Sequence, residues 1–310
     1  MAGSVTATHE VQRRRLLIAG ARLGLATIAA PSIGAAFAQA TLGPSIESGY
    51  AAGDAARLFY VRAGEGPLML FLHGHPDSAL LYLSQLSEFG RDHLAVAPNL
   101  RGYPPSDAHE AVEAYAMPRL LSDVHALLDH FGRERCTLVG NDWGGYVAWV
   151  FASAYPDRVE RLIVLNAPHP AIHLREVSTN PAQIEASQYE REYNTAAKPY
   201  PAWYNYYRAD PIKVPASREE GVAMKPPDLA ANFFSGVGKP PATTSLRVNV
   251  PTLVIWGMRD PHLLPRQLDG LDAYARVLTV VRIEDAGHAP MRSHPQLVNQ
   301  TIRAFMPRPK

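Results

Sequence analysis

The stretch Cys136-Thr-Leu-Val-Gly-Asn-Asp-Trp-Gly-Gly145 constrains the chain more than any other. Cys136 to Val139 is a short, partly β-branched apolar run of the kind buried inside a sheet. The small and apolar residues after Gly145, among them Val147, Ala148, Val150, Phe151 and Ala152, fit a helix lying on that sheet. Between the two, glycines permit an abrupt turn that leaves one side chain standing above the strand end. That side chain is a carboxylate, Asp142. A carboxylate here is either a helix cap that satisfies first-turn amides, or a nucleophile that attacks saturated carbon and is left as an ester. Partners found later in the chain favour the second.

The rest of the chain supplies a sheet around this turn. Ser45 to Arg62 reads as an antiparallel hairpin with its turn at Ala51-Ala52-Gly53-Asp54. Pro67 to Leu72 and His93 to Ala97 are apolar runs expected for strands buried on both faces. The spacing of Leu120, Leu121, Val124, Leu127, Leu128 and Phe131 predicts a helix over 115–132, and Arg161 to Leu165 predicts another strand. Strand character returns at Val250 to Trp256 and at Val277 to Ile283, and a last helix is expected from Pro295 to Phe305. Alternation of this kind builds a mostly parallel sheet flanked by helices. Residues 171–242 differ: they hold no buried-strand run and are rich in proline and aromatic residues. They are expected to form a helical lid inserted between core segments 41–170 and 243–310.

The first forty residues stand apart. Arg13-Arg14-Arg15-Leu16-Leu17 precedes a mild, Ala-rich apolar stretch that ends in Ala36-Phe37-Ala38. This resembles a twin-arginine export signal, which implies a periplasmic or secreted protein with no stable membrane association once the signal is removed; a single membrane anchor is the alternative. Four arginines and one glutamate fall in that segment, so the formal charge of +1 becomes −2 without it. Neither value makes an electrostatic case for nucleic acid. Cys136 is the only cysteine, which excludes an intramolecular disulfide, and it reads as a small core hydrophobe.

Carboxylate-based hydrolysis needs a nucleophile, a base for water and an acid to orient the base. Asp260 follows the strand ending at Trp256, and His288 follows the last strand, in Glu284-Asp-Ala-Gly-His-Ala-Pro290. Asp142, Asp260 and His288 thus occur in the order nucleophile, acid, histidine. The backbone N–H groups of Trp143 and of His75, in His73-Gly-His-Pro76, are placed to hold an oxyanion; a side-chain role for His75 is the alternative. His169, His173, His262 and His294 lack such placement and read as surface or lid residues.

Together, His-Gly-x-Pro at 73–76, Leu-Arg-Gly-Tyr at 100–103, Gly-x-Asp-Trp-Gly-Gly at 140–145, Leu-Asn-x-Pro-His-Pro at 165–170 and the late Asp260 and His288 resemble the epoxide hydrolases of the α/β-hydrolase fold. The resemblance covers residue 45 to the end and is weakest in the lid. It implies that Asp142 opens an epoxide, that His288 with Asp260 hydrolyses the resulting ester, and that lid tyrosines donate to the departing oxygen. Gln188 to Tyr193 resembles the segment bearing the first such tyrosine, which assigns it to Tyr189. Where the second is usual, this chain has Asn232-Phe233-Phe234, and Tyr206 or Tyr207 is the substitute. An Asp usually precedes Leu-Arg-Gly-Tyr; here it is Asn99, a change read as structural. Haloalkane dehalogenases share the Asp-Trp turn and the two-step chemistry, but they commonly carry Asn where this chain has His75. A non-catalytic binding protein on the same scaffold is the third reading. The implied substrate is a small apolar epoxide or haloalkane. With no metal-ligand cluster, phosphate loop or dinucleotide fingerprint in the sequence, no cofactor is implied.

Overall fold

The computed structural model describes residues 44–53, 56–235 and 245–306. The expected export signal, 1–40, lies outside them, and so does 236–244, which contains the expected junction of lid and core.

Among the described residues, eight strands form one sheet in the order β1-β2-β4-β3-β5-β6-β7-β8. They are β1 (Ile46–Ala52), β2 (Arg57–Ala63), β3 (Leu68–Leu72), β4 (Leu94–Pro98), β5 (Cys136–Asn141), β6 (Val159–Leu165), β7 (Thr252–Gly257) and β8 (Leu278–Ile283). The β1–β2 hairpin is antiparallel and β2 joins β4 antiparallel; every other pairing is parallel. All residues of β3, β4, β5 and β7 are buried, as unbroken apolar runs require when helices cover both faces of a sheet. The covering helices include α1 (Leu83–Phe89), α2 (Met117–His130) and α3 (Asp142–Ala154), and later α10 (Pro290–Ser293) and α11 (Pro295–Phe305). The predicted strand and helix positions agree with these elements to within a few residues.

From β3 the chain steps outward to β4, then crosses back to β5 on the other side of β3. A parallel sheet opens a crevice beyond its C-terminal edge at such a reversal. The ends of β3, β5, β6 and β7 therefore deliver His73, Asn141, Asn166 and the Asp260 turn to one place.

Six helices fill 170–234: α4 (Pro170–Thr179), α5 (Pro181–Ala186), α6 (Gln188–Thr195), α7 (Tyr204–Ala209), α8 (Arg218–Ala223) and α9 (Leu229–Phe234). They are fastened to the loops at the sheet's C-terminal edge. Buried Gln183 on α5 donates to the His262 carbonyl at 2.7 Å and accepts from the Leu264 amide at 3.0 Å. On α7 the Tyr206 hydroxyl donates to the Arg101 carbonyl at 3.0 Å. Arg101 itself is fully buried and grips Asp123 on α2 through two hydrogen bonds of 2.6 Å. Lid, edge loop and core helix are thus joined through one residue, Arg101, by its carbonyl and its guanidinium. Asn99 is likewise structural: it accepts from the Ala79 amide and donates to the Pro104 carbonyl.

Candidate active site

At the end of β5 the backbone turns through Asp142, whose φ is +50°. A left-handed conformation is rare for a residue with a Cβ, although Asp tolerates it better than most, and it persists only where the surroundings impose it. They do so here by close packing. A Cβ on Gly144 would strike the Leu72 carbonyl, so the start of α3 lies against the end of β3. A Cβ on Gly74 would strike the Asp142 side chain, so the β3 loop passes directly beside the carboxylate.

That carboxylate does not cap the helix. Asn141 occupies the cap position but its side chain does not bond the helix's first-turn amides, and Oδ1 of Asp142 accepts from the His75 amide at 2.7 Å. Oδ2 faces Nε2 of His288 at 3.4 Å. On the other side of the ring, Nδ1 of His288 lies 2.7 Å from Oδ2 of Asp260, whose side chain is fully buried. Asp260 is held by three further hydrogen bonds: Oδ1 accepts from the His262 and Leu263 amides, and Oδ2 also accepts from the Asn166 side chain at 2.9 Å. Asn166 is itself locked by the Gly257 amide and carbonyl. Asn141 donates to the Leu165 and His288 carbonyls and so ties the histidine loop to the strand that carries the nucleophile.

Charge follows from this arrangement. Burial opposes ionisation of Asp142, but the His288 contact and the His75 and Trp143 amides outweigh it and hold the carboxyl below its ordinary value. Burial also opposes a charged His288, yet two flanking carboxylates push its pKa up to about 10. At neutral pH the resting site is an imidazolium between two carboxylates. The His75 ring lies stacked on Trp203 at 3.9 Å between centroids, which leaves its loop to contribute the amide.

Above Asp142 lies a narrow cavity. Asp142, Trp143, Pro168, Tyr189, Tyr207 and Leu263 are among its walls. Tyr189 and Tyr207 lie with ring centroids 6.1 Å apart, and neither hydroxyl has a hydrogen-bond partner among the described residues. Burial raises both phenols well above their ordinary values, which keeps them protonated donors. Tyr206, the other lid acid suggested by the sequence, is excluded from this role: its hydroxyl is spent on Arg101 and it is absent from the cavity wall. Phe233 and Phe234 are buried core residues of the lid.

His169 departs from its reading as a surface or lid residue, whereas His173 keeps to it. His169 precedes the lid and is buried, accepting from the Ala171 amide at the start of α4 and stacking on Tyr274. His173 is on the lid but buried against Glu190, 3.7 Å away, on the cavity wall. Sequence reasoning missed Asn166 and Asn141 as positioning residues, although Asn166 stands in the Leu-Asn-x-Pro-His-Pro stretch. It also missed the polar wall formed by His173, Glu190, Asp210 and Tyr146.

Comparison with known proteins agrees with this geometry. A family model described as the alpha/beta hydrolase fold matches residues 67–235. Epoxide hydrolase 3 of Xenopus tropicalis is 33% identical over 273 residues, covering 81% of this chain and 74% of that protein. Epoxide hydrolase 4 of Mus musculus is 30% identical, with 81% and 76% covered. Among solved structures, the epoxide hydrolase of Bacillus megaterium in complex with an inhibitor superimposes with a TM-score of 0.72 at 30% identity, covering 83% of this chain and 99% of that one. An epoxide hydrolase from metagenomes of hot environments gives 0.71 at 32% identity, with 86% and 100% covered.

Proposed function

The chain belongs to the α/β-hydrolase fold family and is an epoxide hydrolase within it, and from that premise we propose that Asp142 opens the ring and His288 with Asp260 releases the diol. The observation that carries this reading is the division of labour between the Asp142 oxygens. Oδ1 is held by the His75 amide, so Oδ2 is left as the oxygen that attacks carbon.

In the first step a bond forms between Oδ2 and an epoxide carbon while the carbon–oxygen bond of the ring breaks. The electron pair leaves on the epoxide oxygen, which takes a proton from Tyr189 or Tyr207. Esterification removes the Asp142 charge, and with it one of the two carboxylates that hold His288 protonated. The imidazolium then returns a proton to the tyrosinate and becomes a neutral base. In the second step His288 takes a proton from water, whose oxygen attacks the ester carbonyl carbon. Negative charge collects on Oδ1, between the His75 and Trp143 amides, which donate to it without reorganising. Collapse breaks the bond to the old Oδ2, which takes the proton held by His288 and leaves as the diol, while the water oxygen stays in Asp142. The remaining proton brings His288 back to its resting charge.

Two phenols above the nucleophile suit an oxygen leaving group better than a halide, which favours epoxides over haloalkanes. A panel of both substrates, scored for diol and for free halide, tests this: diol from epoxides without halide release supports it. Halide release from haloalkanes with no diol from any epoxide would contradict it.

We also propose export by the twin-arginine route, supported by Arg13-Arg14 before the mild apolar stretch and Ala36-Phe37-Ala38. Replacing both Arg13 and Arg14 with Lys is expected to abolish the processed, exported form. Continued export and cleavage of that variant would remove the support.

A further inference from the structure

The catalytic cavity has a second polar wall that the two-step reaction does not use. His173, Glu190, Asp210 and Tyr146 line the same cavity as Asp142. Both carboxylates are more than nine-tenths buried. Oε1 of Glu190 faces Nε2 of His173, while Oδ1 of Asp210 accepts from the Ile212 amide at 3.1 Å and from the Tyr146 hydroxyl at 3.4 Å. Their other oxygens, Oε2 of Glu190 and Oδ2 of Asp210, accept no hydrogen bond among the described residues. The nearby cation does not fill that vacancy, since Nζ of Lys213 donates to Asn194 and to the carbonyls of Tyr207 and Arg208.

Keeping two carboxylates largely buried, with one oxygen of each unpaired on the cleft wall, is costly, and a packed apolar wall would be the more stable choice. A cleft that retains such groups is a candidate for ligand recognition. An ionised carboxylate only accepts hydrogen bonds and a protonated one also donates, so a hydroxyl, which can do both, is the matching ligand group. The charge nearby is already largely matched. Glu190 raises the His173 pKa above its ordinary value, against the effect of burial, and burial pushes Asp210 up to about 7. A neutral donor therefore fits better than a cation. Tyr146 stands four residues after Asp142 on α3, or about one helical turn of 5.4 Å along the axis. A donor reaching Asp210 from an epoxide carbon at Asp142 must sit several bonds along a substituent.

We propose that Glu190 and Asp210 form a specificity subsite selecting epoxides whose substituent ends, about four carbons from the ring, in a hydroxyl group. This rests on the epoxide-opening reading above and narrows it: the apolar substituent suggested by the sequence gives way to an amphipathic one. The hydroxyl donates to the open oxygen of Asp210 or Glu190, while Trp143, Leu263 and Pro168 pack the intervening methylenes.

The test compares 6-hydroxy-1,2-epoxyhexane with 1,2-epoxyheptane, in which a methyl replaces the hydroxyl. The wild type is expected to favour the hydroxylated epoxide on the order of tenfold in kcat/KM, chiefly through KM. Asp210→Asn and Glu190→Gln, each nearly isosteric, are expected to pull that ratio toward one, with the loss appearing in KM for the hydroxylated substrate. An active wild-type enzyme with a ratio of one or below overturns the subsite and leaves the reaction standing. So does a ratio that survives in both variants. Diol from neither epoxide overturns the reaction and the subsite with it.

Discussion

Nε2 of His288 lies 3.4 Å from Oδ2 of Asp142, so the proposed base begins its cycle beside the charge of the proposed nucleophile. Burial opposes the imidazolium, but Asp142 and Asp260 together push its pKa from 6.5 to about 10. A raised folded-state value means that the stabilisation is complete below the unfolded value and is lost as pH rises through the folded one. The wild type is therefore expected to lose stability as the pH climbs through about 10. The same loss is expected to be smaller in His288→Gln. Thermal unfolding of both proteins between about pH 7 and pH 11 measures the difference. At the acid end Asp142, held low, contributes stability that disappears as pH falls below the ordinary carboxylate range.

In the proposed ring opening, Tyr189 and Tyr207 share the task of meeting the epoxide oxygen. Removing either hydroxyl is expected to slow ring opening by about a hundredfold, the loss of one transition-state donor. The measurement is the rate of ester formation in a single turnover by Tyr189→Phe and Tyr207→Phe. Tyr206→Phe is expected to lower stability by about 1 kcal/mol through its lost bond to Arg101, with ring opening close to wild type. A Tyr206→Phe variant as slow as the other two would reverse the assignment.

Arg101 and Asp123 join the lid, the edge loop and α2 from inside the core. Breaking one side of such a buried pair leaves a charge with no countercharge. Asp123→Leu is expected to cost about 3–5 kcal/mol in denaturant unfolding. Replacing both residues with apolar ones of similar volume, Arg101→Met with Asp123→Leu, is expected to recover part of the loss.

The strand–turn–helix at Asp142 was legible because its determinants are local: apolar run, glycines, apolar helix. The order of Asp142, Asp260 and His288 needed only the strand ends. Asn166 was harder to recognise, since its importance lies in a φ of +40° and a bond to Asp260, 94 residues away. The choice between Tyr206 and Tyr207 was closed to sequence reasoning. Neighbours on a helix point about 100° apart, and only the packing of α7 on Arg101 decides which one meets the cavity. The polar wall escaped for the same reason. His173, Glu190 and Asp210 come from α4, α6 and the end of α7, and each alone looks like an ordinary lid residue.

The two-step mechanism is tested most directly by trapping its ester. His288→Gln removes the base for the second step and leaves the Asp142 nucleophile in place. Incubated with an epoxide, that variant is expected to gain the full mass of the substrate, because ring opening loses no atom. The added mass should map to the peptide containing Asp142, and Asp142→Asn should gain nothing at first contact. An adduct on any other residue, or no adduct with an epoxide that the wild type converts to diol, would contradict a carboxylate nucleophile at Asp142.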